Sequence, residues 1–412
     1  MAAIASCLPF LLYIAFGRAV ICLSRGWSRQ IIFALLNIAA LWWFFVAGKD
    51  IRYFHAFLLY VGLVVLQYIT LRLFGKQEHW KPWIAFALPI LFLFLIRYVP
   101  VSLYARWNGG LRHALDVDPN FSLSSYFIGI SYLAFRTSHL ALEIRNGAAG
   151  MPNLWEYLGF SFFLPTLPVG PISPYNKFQE AFSNAPPVVA VDRAVLRILV
   201  GLVKYRFVGS IFDQLSYGGL LHDGYNHHWV DLPVAVVFYY LFLYCNFSGF
   251  CDMAIGAAGL MGIPVAENFN NPFAARNVRD FWNRWHITLS VYMRDVVFSP
   301  LSKFLVRLFG FARANHAIAV AIVVVFLLVG IWHGVGWNFA AYGAVHALGV
   351  VVNHYYTIGL KIWLGRDGFK AYNVNPWIRA GAISLTFCYC AASLLFFANT
   401  LAEIQGIFAS LK

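Results

Sequence analysis

The stretch "GIWHGVGWNF" (330–339) sets one imidazole, His333, among glycines and tryptophans at the end of the apolar run "AIAVAIVVVFLLV" (317–329). Histidine ordinarily titrates near neutrality, so it can take a proton from an alcohol and return it to a leaving group. Inside a membrane an ionisable group is costly and tends to mark a functional site. Gly330, Gly334 and Gly336 would let a substrate or another backbone come close, and Trp332 and Trp337 would wall the space. A second imidazole, His286, lies 47 residues upstream in "RDFWNRWHITLSVYMRD" (279–295). Arg279, Asn283, His286 and Ser290 recur at three- and four-residue steps, apart from an apolar face of Val278, Phe281, Trp282, Trp285, Leu289, Tyr292 and Met293. The spacing predicts one amphipathic helix over 276–294, at a headgroup boundary or wrapped against a bundle.

Two more polar groups interrupt apolar sequence. In "GISYLAFRTSHLALE" (129–143), Arg136, His139 and Glu143 share a helical face. They read either as structural groups satisfied by each other or by backbone, or as the polar wall of a channel. In "CNFSGFCDMAIG" (245–256), Asp252 needs backbone amides or an arginine from the 276–294 helix as its partner. The histidines of "HDGYNHHW" (222–229) match no common zinc spacing. The sequence contains no GxSxG elbow, HExxH pair, phosphate-binding loop or dinucleotide fingerprint.

The elements that must hold these residues are helices in lipid. Of 412 residues, 61% are hydrophobic and 11% charged, against about a quarter charged in soluble domains. Apolar runs recur near 5–23, 30–47, 54–74, 83–99, 126–142, 194–212, 232–246, 250–263, 316–332, 337–356 and 379–398. Several fall short of the roughly 20 residues of a full crossing, so they must be buried in protein or line a wet cavity. Pro-rich "FFLPTLPVGPISPY" (162–175) reads as re-entrant or interfacial, and 5–23 as a retained membrane segment, since Arg18 interrupts it.

The net charge of +13 comes from basic residues in short loops such as "SRGWSR" (24–29) and "GKQEHWK" (75–81). Those loops suit lipid headgroups and topology, and nucleic acid is not expected as a partner. Basic residues divide evenly between alternate loops and set no orientation. The six cysteines lie in apolar segments and form no CxxC or zinc pattern.

The segments "NFSGFCDMAIG", "ENFNNPF", "RDFWNRWHITLSVYMRD" and "GIWHGVGWNFAAYGAVHAL" together resemble the membrane-bound O-acyltransferase (MBOAT) family. "GISYLAFRTSHLALE" and "FLPTLPVGPISPY" extend the likeness over most of 126–350. It is similar to the bacterial branch that modifies surface polymers, more to the D-alanyl transfer type than to the alginate O-acetylation type. The chain departs from the family pattern at Asn246, Phe250 and Cys251, while keeping Ser248, Gly249 and Asp252. It departs again at Val296, Val297 and Phe298, where tyrosine-rich sequence is common.

The resemblance implies an all-α polytopic membrane protein, a ring of about eleven transmembrane helices with re-entrant or interfacial helices around a central tunnel. One integral membrane domain, 1–412, would comprise N-terminal helices (1–125), the motif core (126–350) and C-terminal helices (351–412). His333 maps onto the family's catalytic histidine and His286 onto a second histidine near the same tunnel. Asn283, Arg279, Trp285, Trp332, Asp252, Ser248, Arg136 and His139 are the candidate substrate or tunnel residues, and no metal or bound cofactor is expected.

The expected reaction moves a D-alanyl or acetyl group from a cytoplasmic thioester to a hydroxyl of a surface polymer. The donor would be acetyl-CoA or a phosphopantetheine-linked acyl carrier protein. An outer-side membrane-anchored partner and the cytoplasmic (inner) membrane of a bacterium follow from the same resemblance. The alternative on physics alone is a proton-coupled transporter or flippase, although no internal repeat is visible.

Overall fold

The computed structural model describes residues 2–78, 80–99, 126–183, 189–222 and 224–412; the 100–125 part of the N-terminal region therefore lies outside the described residues. Described residues are helical or irregular, with two isolated bridges, His227 to Leu411 and Phe269 to Trp285. Among the described residues, five helices have the length and apolarity to cross a membrane: Gly26–Phe45, Ile51–Phe74, Asp231–Met261, Phe311–His333 and Pro376–Ala398. By contact they gather into two compact units, Met1–Val200 with Phe250–Ala266, and Gly201–Gly249 with Glu267–Lys412.

The first unit contains α1 (Ala2–Leu23), α2 (Gly26–Phe45), α3 (Ile51–Phe74), α4 (Pro82–Tyr98), α5 (Ile130–Arg145), α6 (Leu154–Ser161), α7 (Tyr175–Ser183) and most of α8 (Val191–Leu202). Helix α3 shows how lipid selects its faces. Ala56, Tyr60, Val64, Gln67 and Leu71, at helical spacing, are buried. Leu58, Leu66, Ile69 and Leu73 stay exposed, as a bilayer permits.

The Pro-rich segment is buried non-helical chain, a single 3-10 turn at Leu164–Thr166 followed by coil. Such backbone persists away from water only where protein satisfies its polar groups. Arg136 on α5 supplies much of that, donating from Nη1 to the Phe160 carbonyl (2.8 Å) and from Nη2 to the Thr166 carbonyl (3.1 Å). Asn37 on α2 accepts from the Leu164 amide (3.1 Å), and Glu143 accepts from the Tyr175 amide (3.0 Å). Gly129, at φ 72°, lets the start of α5 press against the Leu167 carbonyl, where a Cβ would collide.

The two apolar runs 232–246 and 250–263 fold as one helix, α11 (Asp231–Met261), after the short α9 (Gly209–Gln214) and α10 (Tyr217–Leu220). In the second unit Gly249 lets α11 cross the 201–205 backbone, since a Cβ there would lie 2.7 Å from the Gly201 carbonyl oxygen. The rest of this unit is α12 (Val278–Trp282), α13 (Ile287–Met293), α14 (Ser299–Phe309), α15 (Ala314–His333), α16 (Trp337–Val374), α17 (Pro376–Ala398) and α18 (Leu401–Ser410).

The continuous helix expected over 276–294 is instead two short helices broken at Asn283–His286. Two backbone hydrogen bonds take the chain out of helix: the Asn270 amide donates to the Arg284 carbonyl, and the Ile287 amide to the Asn268 carbonyl, both at 2.9–3.0 Å. His286 between them sits in the left-handed region (φ 46°, ψ 50°). For a side-chain-bearing residue that costs roughly 1–3 kcal/mol, which the surrounding bonds must offset.

In the 222–229 segment the backbone of His227 pairs with that of 410–412. The His227 amide donates to the Ser410 carbonyl, and the Lys412 amide to that of His227 (both 2.9 Å). The His228 amide donates to Asp231 at the start of α11 (2.9 Å). Asp223 lies outside the described residues.

Candidate active site

His286 is buried, and its tautomer follows from its neighbours. The Asn268 side-chain oxygen accepts from the Thr288 backbone amide (3.2 Å) and the Thr288 hydroxyl (2.8 Å). A backbone amide can only donate, so this atom is the amide oxygen and cannot be the nitrogen. His286 Nδ1, 3.1 Å away, must therefore carry the proton and donate to it. That leaves Nε2 with a lone pair, buried and without a hydrogen-bond partner among the described residues. His286 lies between two helices too short to span. Burial first, and then the nearby His333, hold its pKa well below the ordinary value, so it stays neutral.

His333 is the last residue of α15. Trp332 packs against both imidazoles, with ring centroids 4.6 Å from His333 and 6.2 Å from His286. Phe247 lies 4.8 Å from the His286 ring, and Tyr342 and Phe397 lie 5.8 and 4.9 Å from that of His333. The two sequence-predicted histidines thus share one aromatic enclosure. Gly330, just before His333, serves helix packing. A Cβ on Gly330 would strike the Phe339 carbonyl and come within 3.1 Å of Gly343, so α15 and α16 meet backbone to backbone. Of the two tryptophans beside His333, only Trp332 packs on the imidazoles, and Trp337 is 82% exposed.

A third imidazole, His346 on α16, has a different fate. Trp282 Nε1 can only donate, and it does so to His346 Nδ1 (3.2 Å). Nε2 must then carry the proton and donate to Ser393 Oγ (3.0 Å), whose hydroxyl donates to the Cys390 carbonyl (2.7 Å). Both ring nitrogens are used, so His346 has no capacity left for a substrate. Sequence reasoning did not single out His346 or Asn268. Asn268 was visible only as one polar residue in "ENFNNPF".

The remaining candidates fall in different surroundings. Trp285 is buried against Tyr240, Tyr244, Phe269 and Phe281 and braces the turn that carries His286. The buried hydroxyl of Ser248 lies on α11, one residue after Phe247. Asn283 and Arg279 line a cavity whose lining includes neither His286 nor His333. In the first unit Asp252 pairs with Arg197 of α8 (3.1 Å), so its arginine does not come from the 276–294 segment. Arg136 and Glu143 each hydrogen-bond the backbone of the 160–175 segment, with His139 Nδ1 3.6 Å from a Glu143 oxygen. Among the described residues no three metal-ligating side chains converge.

A helical membrane protein that packs a buried and a half-buried imidazole on one tryptophan, the buried one with a fixed tautomer and an open nitrogen, is equipped for proton transfer on a substrate. The model of the membrane-bound O-acyltransferase family, MBOAT, matches residues 78–395, and the chain belongs to that family. It is accordingly an O-acyltransferase and an integral membrane protein.

Among its relatives is a teichoic acid D-alanyltransferase of Streptococcus thermophilus, 33% identical over 68% of this chain and 69% of the relative. Another, from Bacillus subtilis, is 29% identical over 73% and 75%. A peptidoglycan O-acetyltransferase of Helicobacter pylori is 30% identical over 56% of this chain and 42% of its own length.

Proposed function

We propose that this protein transfers a short acyl group from a thioester to a hydroxyl of a cell-envelope polymer, with His333 as general base and His286 as a group that orients the substrate. The observation that carries the reading is the packing of both imidazoles on Trp332, with His286 Nε2 left open. An alcohol is a weak nucleophile at neutral pH and needs a base. His333 takes the hydroxyl proton as the oxygen bonds to the thioester carbonyl carbon. The tetrahedral intermediate then expels the thiolate, which recovers that proton from His333 and leaves as a thiol. His286 holds its proton toward Asn268, so its open nitrogen does not donate to the oxyanion and accepts instead from a substrate donor other than the O–H that His333 takes.

The acyl group we favour is D-alanyl, with acetyl second. The likeness to D-alanyltransferases extends over 69% and 75% of two relatives, against 42% for the peptidoglycan O-acetyltransferase. A carrier protein bearing a phosphopantetheine thioester would then be the donor on the cytoplasmic side, and a teichoic acid-like polymer the acceptor. The enzyme would work as one membrane domain in the bacterial cytoplasmic membrane, beside a membrane-anchored partner on the outer side.

The test uses the full chain in lipid nanodiscs with a polymer acceptor, given either a D-alanyl-loaded carrier or acetyl-CoA. Acceptor-dependent release of thiol from the loaded carrier supports the reading. Release from acetyl-CoA alone moves the assignment to O-acetylation. Proton flux without consumption of either donor would contradict acyl transfer.

A further inference from the structure

The second unit holds a cavity of about 580 Å³ apart from the two histidines, within the range of about 300–1,000 Å³ usual for small-ligand sites. Its long wall is one face of α15: Ile318, Ile322, Val325, Phe326 and Val329. From Ile318 to Val329 that wall runs eleven residues, about 16 Å at the helical rise. The opposite side is made by the broken amphipathic segment, including Leu289 and Met293.

Three polar lining residues, Arg294, His354 and Arg279, lie toward the start of α15. Phe298 packs with Ala317 and Ala321, which brings Arg294, one turn before it, to that end. His354 adjoins Tyr355, whose hydroxyl lies 2.7 Å from His316 Nδ1, also at the start of α15, and Arg279 lies near His354. Trp282, one turn beyond Arg279, meets Phe326 further along the wall.

The charges favour an anion at that end. No Asp or Glu is among the lining residues. Arg279 carries no ion pair among the described residues, because Asp280 beside it is engaged by Arg284 (2.9 Å). Arg294 is drawn partly to Asp295 (2.9 Å). Two buried polar atoms of the lining residues, Ser290 Oγ and His354 Nε2, lack hydrogen-bond partners among the described residues.

A cationic end joined to a long aliphatic slot matches an anionic lipid, with its phosphodiester at Arg279, Arg294 and His354 and one acyl chain along α15. A coenzyme or carrier arm would bring amides to a wall of Ile, Val and Phe that offers them no partners. We infer that this cavity binds one acyl chain and the phosphate of an anionic phospholipid, at a site distinct from the paired histidines. The lipid would brace the broken segment against α15 and α16.

The full chain, purified in detergent, would be offered equal phosphatidylglycerol and phosphatidylcholine of the same chain length, with retained lipid counted by native mass spectrometry. The expected result is one phosphatidylglycerol held in preference to phosphatidylcholine. Its affinity should fall about fivefold for each of Arg279→Gln and Arg294→Gln. Val325→Phe, which narrows the slot, should also release it. The arginine variants alter exposed side chains, so they remain informative if the packing variant misfolds. Equal retention of both lipids, or no effect of the arginine variants, would overturn the inference. So would displacement of the lipid by coenzyme A, which would give the cavity to the thioester donor, or by inorganic phosphate alone, which would make it a free-anion site.

Discussion

At the scale of single residues, His346 and His286 differ in whether a ring nitrogen is left open. His346 spends both nitrogens, on Trp282 and Ser393, whereas His286 spends one, on Asn268. His346→Gln should therefore lower thermal stability by about 1–3 kcal/mol, by leaving buried partners unpaired. The folded fraction should keep its turnover, measured as specific activity after removal of aggregate. Asn268→Ala should cost a similar amount, because His286 Nδ1 and both Thr288 donors lose their acceptor. Unlike the His346 variant, it should also cut turnover in the folded fraction, since the tautomer of His286 is no longer set. The sequence made His333 and His286 legible through their motifs. It could not reveal the partners that distinguish them from His346, since these come from positions 18, 47 and 64 residues away.

Among the elements, what was legible depended on whether periodicity or long-range hydrogen bonding shaped the chain. Apolar runs located the spanning helices, and their stripes of buried residues follow helical spacing. The same criterion failed at 276–294, where hydrophobic spacing implied an unbroken helix. Two backbone bonds to 268–270 break it and turn His286 into the left-handed region. The separation of 232–246 from 250–263 failed for the opposite reason. Polar Asn246, Ser248 and Gly249 lower the local hydropathy without ending the helix, and Gly249 is needed for a close crossing. The face of Arg136, His139 and Glu143 was seen in sequence, but not that it holds non-helical backbone. Arg136→Met should release the 160–175 segment and leave its carbonyls unsatisfied. Faster proteolysis within that segment and a lower melting temperature would check this, and an unchanged proteolytic pattern would remove the staple role.

For the whole molecule, acyl transfer in a membrane asks for enough helices to exclude water and a place where a thioester and an alcohol meet a base. Family membership follows from a match over 78–395, and the site proposed for that activity is where His333 and His286 pack on Trp332. The most direct test is single-turnover acyl transfer by the full chain in nanodiscs, comparing wild type, His333→Ala and His286→Asn. Asparagine tolerates the left-handed backbone at 286, so that variant keeps the turn while removing the imidazole. The account predicts a loss of about 10²–10⁴-fold for His333→Ala, with an unchanged melting temperature. It predicts a smaller loss for His286→Asn. Wild-type rates in a folded His333→Ala protein would contradict it.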